Sequence, residues 1–166
     1  MKTKKTHFIF KHAIVEDKNR IINWLSQPHI RKWLHSAGLQ NLLNTLDRFF
    51  ENNSESTHWI AYSHKTPFAY LLTTPEGPDA ISLDLFICDT DFIGKGLSVP
   101  LIQTFLLDHF PHIKEISIDP ETSNTRAVHV YQKAGFQIIG EFIASWHPVP
   151  HYKMKLDMKD LTNLNF

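Results

Sequence analysis

The sequence predicts a single α/β domain on a mixed sheet, and three observations predict it. Short β-branched and aromatic runs alternate with amphipathic helical stretches along the chain. No internal repeat, low-complexity tract or long linker interrupts them. Between residues 82 and 106 an apolar strand, a glycine turn and an apolar helix follow one another directly. With 166 residues, 42% of them apolar, the chain has material for one real core, so the domain is taken as 1–166.

The elements follow in order. Residues 8–14 have the content of a first strand, and Asp17 is placed to cap what comes next. Ile21, Ile22, Trp24 and Leu25 predict a short helix, and residues 28–34 a further helical turn after the break at Pro28. Leu39, Leu42, Leu43, Leu46, Phe49 and Phe50 recur at helical spacing and define one face of a longer helix. Residues 59–62 and 68–72 flank a polar turn, the pattern of an antiparallel hairpin. Pro75, Gly77 and Pro78 punctuate the entry to a strand over 82–88. Leu97, Leu101, Ile102, Phe105 and Leu106 mark a central helix, and 115–118 a short strand. Residues 125–134 predict a helix stopped by Gly135, and two last strands are expected over 136–146 and 152–156.

Composition narrows the partners. Seventeen basic side chains balance seventeen acidic ones, so no basic field points to nucleic acid or an anionic membrane. No apolar run approaches the roughly 18 residues of a membrane span, and the lysines after Met1 lead into strand-like alternation rather than a signal-peptide core. The lone Cys88 excludes an internal disulfide and fits a reducing compartment, and a cytoplasmic location is expected. As a strand residue with no histidine placed to activate it, Cys88 reads as a small core side chain.

Residues 93–98, Ile-Gly-Lys-Gly-Leu-Ser, carry the first functional signal. Glycines between a strand and a helix let free amides converge near the positive helix end, where an anion binds. The loop lacks the Gly-Lys-Ser/Thr ending of a P-loop, and no acidic ribose partner of a dinucleotide fold follows. Coenzyme A fits better, its pyrophosphate on the loop and its pantetheine arm along an opened strand edge.

The region resembles the acetyl-coenzyme A site of the GNAT superfamily of N-acetyltransferases. The superfamily loop Gln/Arg-x-x-Gly-x-Gly/Ala is met at Gly96 and departs at Ile93 and Ser98. The second block, Asn-x-x-Ala-x-x-x-Tyr-x-x-x-Gly-Phe, is met at every fixed position by Asn124, Ala127, Tyr131, Gly135 and Phe136. Within the superfamily the chain is similar to aminoglycoside 6′-N-acetyltransferases through Trp24, Leu25, His29, Ile30, Trp33, Asp84, Asp119, Pro120 and Ser123. The resemblance implies a mostly antiparallel sheet flanked by helices and splayed at the cofactor strand. It further implies acetyl-CoA as co-substrate, held by Phe86, Ile87, Ile93, Gly94, Lys95, Gly96, Leu97, Ser98, Asn124 and Tyr131, and a small-molecule amine bound at Trp33, Asp84 and Asp119. The acidic insertion such enzymes often carry before the cofactor strand is reduced here to residues 74–79, which leaves Asp84, Asp119 and Glu76 or Asp79 to meet a polycation.

Acetyl transfer needs an amine freed of its proton and a thiolate that leaves. Asp84 interrupts an apolar run, so its side chain is expected to cross the sheet into a cleft and orient or deprotonate the amine; on the residues alone it reads equally as a paired structural aspartate. Asp119, before a proline, reads as a turn former or an acceptor-binding group, and Tyr131 as a packed helix residue or the acid that protonates the thiolate. Eleven histidines show no helical His-x-x-x-His pair, so no metal site is expected. Trp33, Trp59 and Trp146 are candidates to line the cleft, Trp33 alone with support from the family pattern. The leading reading is transfer to the 6′-amine of an aminoglycoside-like amino sugar. The alternatives are a siderophore-type hydroxylysine acyltransferase, where histidine typically stands at the position of Asp84, and a noncatalytic acyl-CoA sensor.

Overall fold

A computed structural model describes residues 7–164, so the expectation drawn from the lysines after Met1 lies outside the described residues. The strands are β1 (Phe8–His12), β2 (Thr57–Ser63), β3 (Thr66–Pro75), β4 (Ala80–Ile87), β5 (Glu115–Ile118), β6 (Gln137–Ile143) and β7 (Pro150–Asp157). They form one sheet in the order β1-β2-β3-β4-β5-β7-β6. All neighbours are antiparallel except β4 and β5, which run parallel. That pair is joined only at Ala80, Ile81 and Ser82, opposite Glu115, Ile116 and Ser117. Residues 83–87 of β4 stay paired to β3 while β5 has turned away, which is the expected splay.

The helices α1 (Lys18–Leu25), α2 (Pro28–Arg31) and α3 (Ser36–Phe50) cover one face of the sheet, and α4 (Ser98–His109) and α5 (Thr125–Ala134) the other. β3 is therefore buried on both sides. Phe68 and Leu71 join the core under α4, while Tyr70 and Leu72 pack with Leu42 and Leu46 of α3. β4 shows the same alternation but with a different outcome. Ile81, Leu83, Leu85 and Ile87 face the α4 side, which leaves Ser82, Asp84 and Phe86 on the face of α2 and α3.

Several expectations are corrected at element ends. Asp17 sits at the N-cap position of α1, but its carboxylate turns back to accept from the Ile14 amide at 2.9 Å and pairs with Arg20. β1 stops at His12, and α2 ends at Arg31 rather than at Leu34. β6 ends at Ile143 instead of reaching Trp146, since the chain turns before Pro148 and Pro150, neither of which can donate to a ladder. α6 (Met158–Leu164) was not anticipated; its buried Met158 and Leu161 are too few to set up a helical period. Among the described residues no helix is long and apolar enough to cross a membrane.

Gly135 closes α5 as expected, with φ +117° and the Phe136 amide donating to the Tyr131 carbonyl at 3.0 Å. A Cβ there would stand 2.8 Å from Leu156 Cδ1. The contact falls on the movable end of a leucine, so backbone strain at this φ, on the order of 1–3 kcal/mol, dominates, and Gly135→Ala is expected to lower stability by roughly that amount. Urea denaturation measures it, and a midpoint equal to that of the parent would contradict the stop-signal role.

Candidate active site

Asp84 stands where the splay begins, opposite Leu72 in the β3 ladder. Its carboxyl opens onto a cleft of about 640 Å³ bounded by α2, α3, the ends of β4 and β5, and α5. This size suits a small-molecule substrate. The side chain is accessible from the cleft yet deep within it, walled by protein on the other sides. Depletion of bulk water, with the negative Asp119 nearby, raises its pKa from 3.8 to about 6. No cation or amide hydrogen-bonds to it among the described residues.

Three more carboxylates line the same cleft: Glu76, Asp119 and Glu121. Asp119 is also pushed up, first by burial and then by Glu76, with Lys153 and His151 opposing. Its carboxylate makes no turn-forming hydrogen bond among the described residues. Glu76 is held by the Ser117 hydroxyl, which donates at 2.8 Å. Asp79, the other candidate from the shortened insertion, lies outside the cleft, 3.5 Å from Lys114. Glu121 was missed by sequence reasoning, although its place two residues after Asp119 was the available signal.

Tyr131 reaches the cleft from α5. Burial first, and then the nearby Asp84 charge, hold its pKa well above that of an ordinary phenol, so the hydroxyl keeps its proton at neutral pH. Asn124 caps α5, its Oδ1 accepting from the Ala127 amide at 3.3 Å, and also lines the cleft. Phe86 and Ile87 form part of the wall, and the Ile87 carbonyl accepts from His29 Nε2 at 3.1 Å, which ties α2 to the end of β4. Trp33 and Trp146 both line the cleft. Trp59 does not: it is buried at the β2 core, donating to Thr73 Oγ1 and packed edge-on to Phe105. Cys88 is fully buried, as a core residue should be.

Residues 93–97 do not line the cleft; they follow the end of β4 and lead into α4. Gly94 and Gly96 take φ of +74° and +69°, and the amides of Gly94, Lys95, Gly96 and Leu97 make no backbone hydrogen bond among the described residues. Pro100, in the first turn of α4, removes a donor where the helix has no internal use for one. Such amides at the head of a twelve-residue helix are an arrangement able to receive an anion, and Ser98 opens the helix behind them.

The histidines give a second surprise. His35, just before α3, and His147, in the β6–β7 turn, stack with ring centroids 3.7 Å apart. Their Nε2 atoms lie 2.8 Å and 3.8 Å from the same Glu121 oxygen at the rim of the cleft.

A loop of unpaired amides, a splayed strand and a carboxylate-lined cleft in a mixed sheet are the parts expected of a domain that brings a coenzyme A thioester to an amine. The acetyltransferase (GNAT) domain profile matches residues 13–144, and the chain belongs to that family. It is accordingly an acetyltransferase that uses acetyl-CoA as co-substrate. An aminoglycoside N(6′)-acetyltransferase from Legionella pneumophila subsp. pneumophila str. Philadelphia 1 is similar over 98% of each chain, with 51% identity and a TM-score of 0.91. The aminoglycoside N(6′)-acetyltransferase type 1 of Klebsiella pneumoniae is 26% identical over 139 residues, covering 73% of this chain and 69% of that protein. The aminoglycoside acetyltransferase AAC(6′)-Ib, solved with coenzyme A and kanamycin, shares the fold with a TM-score of 0.77 at 22% identity, over 96% of this chain and 99% of that one.

Proposed function

We propose that the protein transfers the acetyl group of acetyl-CoA to the 6′-amine of an aminoglycoside-like amino sugar. The observation that carries this reading is the set of four carboxylates, Glu76, Asp84, Asp119 and Glu121, lining one cleft around an Asp84 that has no cation of its own. A polyamine acceptor supplies the missing positive charge. The 51% identical Legionella relative supports the choice of acceptor.

In this reading the amides of Gly94 to Leu97 hold the pyrophosphate, and the pantetheine arm runs along the unpaired edge of β4 by Phe86 and Ile87. Asp84 binds the incoming ammonium and takes its proton, directly or through water. With a pKa of about 6 it is ionised at neutral pH yet basic enough to accept. The freed amine attacks the thioester carbonyl, the new C–N bond forms, and the C–S bond breaks as the intermediate collapses. The departing thiolate takes a proton from the Tyr131 hydroxyl, and the second proton, shed by the attacking nitrogen as it becomes an amide, passes back to Tyr131 so that thiol and phenol both end the cycle neutral. Trp33 and Asp119 orient the sugar.

Regiochemistry tests the acceptor. Kanamycin-type compounds with a 6′-amine are expected to be acetylated at that nitrogen, and analogues with a 6′-hydroxyl are not, because a hydroxyl is a far poorer nucleophile at neutral pH. Apparent KM should rise with salt as the carboxylates are screened. Mass spectrometry and NMR of the products decide it. If no 6′ nitrogen is modified while hydroxylysine or a peptide amine turns over efficiently, the amino-sugar reading fails and the family assignment stands.

A further inference from the structure

At the rim of the cleft His35 and His147 have no part in the proposed reaction, and with Glu121, one of the four acceptor-facing carboxylates, they bring three metal-ligand donor atoms close together. One donor atom from each residue lies within 4.8 Å of the other two. Two imidazoles and one carboxylate are a donor set for zinc sites that keep one coordination position open. Donor atoms about 2.0–2.1 Å from a tetrahedral ion are about 3.3 Å apart. The two histidine nitrogens are 2.8 Å and 3.8 Å from Glu121 Oε1, so a shift of about half an ångström in each brings both to that spacing. Stacked 3.7 Å apart and 20° from parallel, the imidazoles must first unstack, by turning about the soft χ2 torsion, before both ring planes meet at one ion.

The surroundings favour a cation. No lysine or arginine pairs with Glu121 among the described residues; its other oxygen has only the Ser123 hydroxyl at 3.5 Å. The Glu121 side chain is 11% exposed, while His35 and His147 are 35% and 30% exposed. The negative ligand is thus shielded, and the imidazole edges leave a path for entry. The ligands come from three separate segments: the residue before α3, the β5–α5 connection and the β6–β7 turn. A bound ion would tie these three together across the mouth of the cleft.

We propose that His35, Glu121 and His147 form a binding site for one divalent transition-metal ion of the zinc and cobalt(II) class. This rests on the rim geometry and not on the identity of the acceptor. The test is a titration of tag-free, metal-stripped full-length protein with cobalt(II), followed by its visible d–d absorption, and with zinc by calorimetry. One equivalent is expected to bind saturably and give the absorption of a low-coordinate cobalt–histidine complex. His147→Ala and Glu121→Gln are each expected to weaken binding by about tenfold or more, with an unchanged far-UV circular dichroism spectrum showing that the fold is retained. His35→Gln is the third variant should either of these fail to fold. Absence of saturable one-equivalent binding in the parent, or unchanged affinity in any folded variant, overturns the site and returns the cluster to a histidine–carboxylate hydrogen-bond pair.

Discussion

Replacing Asp84 by asparagine is expected to lower turnover roughly 10²-fold or more while acetyl-CoA affinity stays near that of the parent. The substitution keeps the shape of the side chain and removes both the charge that holds an ammonium and the base that relieves it. Steady-state kinetics with the best amine, alongside calorimetry of the cofactor, separates the two effects. A parental rate in the variant would reduce Asp84 to a cleft-lining residue. The pH profile gives a second reading. With the Asp84 pKa at about 6, kcat/KM in the parent should climb as pH rises through that value, and the asparagine variant should lose this limb. Stability moves the other way. A carboxyl whose folded pKa lies above its unfolded value of 3.8 favours the folded state below that value, and the advantage is lost as pH rises through about 6. Asp84→Asn should therefore melt higher than the parent at pH 7.5, with the gap closing in acid.

Gly96→Val should raise the acetyl-CoA dissociation constant on the order of 10–10²-fold without unfolding the protein. The position has φ +69°, which a β-branched residue does not tolerate, and a Cβ there meets nothing within 4 Å. The backbone, rather than the packing, must give. Losing one amide bond to a charged oxygen costs about 1.5–3 kcal/mol, and that sets the expected range. Calorimetric titration of a variant with an unchanged thermal midpoint is the measurement, and parental affinity would take the loop out of the cofactor site.

Most of the fold could be read from the chain because its signals were local. The period of Leu39 to Phe50 became α3, and β5 and α5 fell where their apolar patterns and Gly135 placed them. Asp84 stood out for a related reason: one acid in an apolar strand must face something other than the core. The cleft's wider chemistry was not legible. Glu121, His35 and His147 are separated by most of the chain, and only the folding of α3 against the β5–α5 and β6–β7 connections brings them together. Asp79 failed for the converse reason, since nearness in sequence to Glu76 did not prevent the turn at Gly77 from sending it toward Lys114.

The parting of β4 from β5 also bears on how the protein avoids sticking to itself. A strand side with unsatisfied amides and carbonyls is a template on which another polypeptide can add, and most sheets expose such sides only at their outer borders. Here residues 83–87 carry one in the middle of the sheet, between β3 and the departing β5, with α4 and α5 against one face. Lying inside the sheet rather than at its border, these positions are flanked by β3, β5 and the helices, which stand in the way of another polypeptide, while a slender ligand needs only the one strand side.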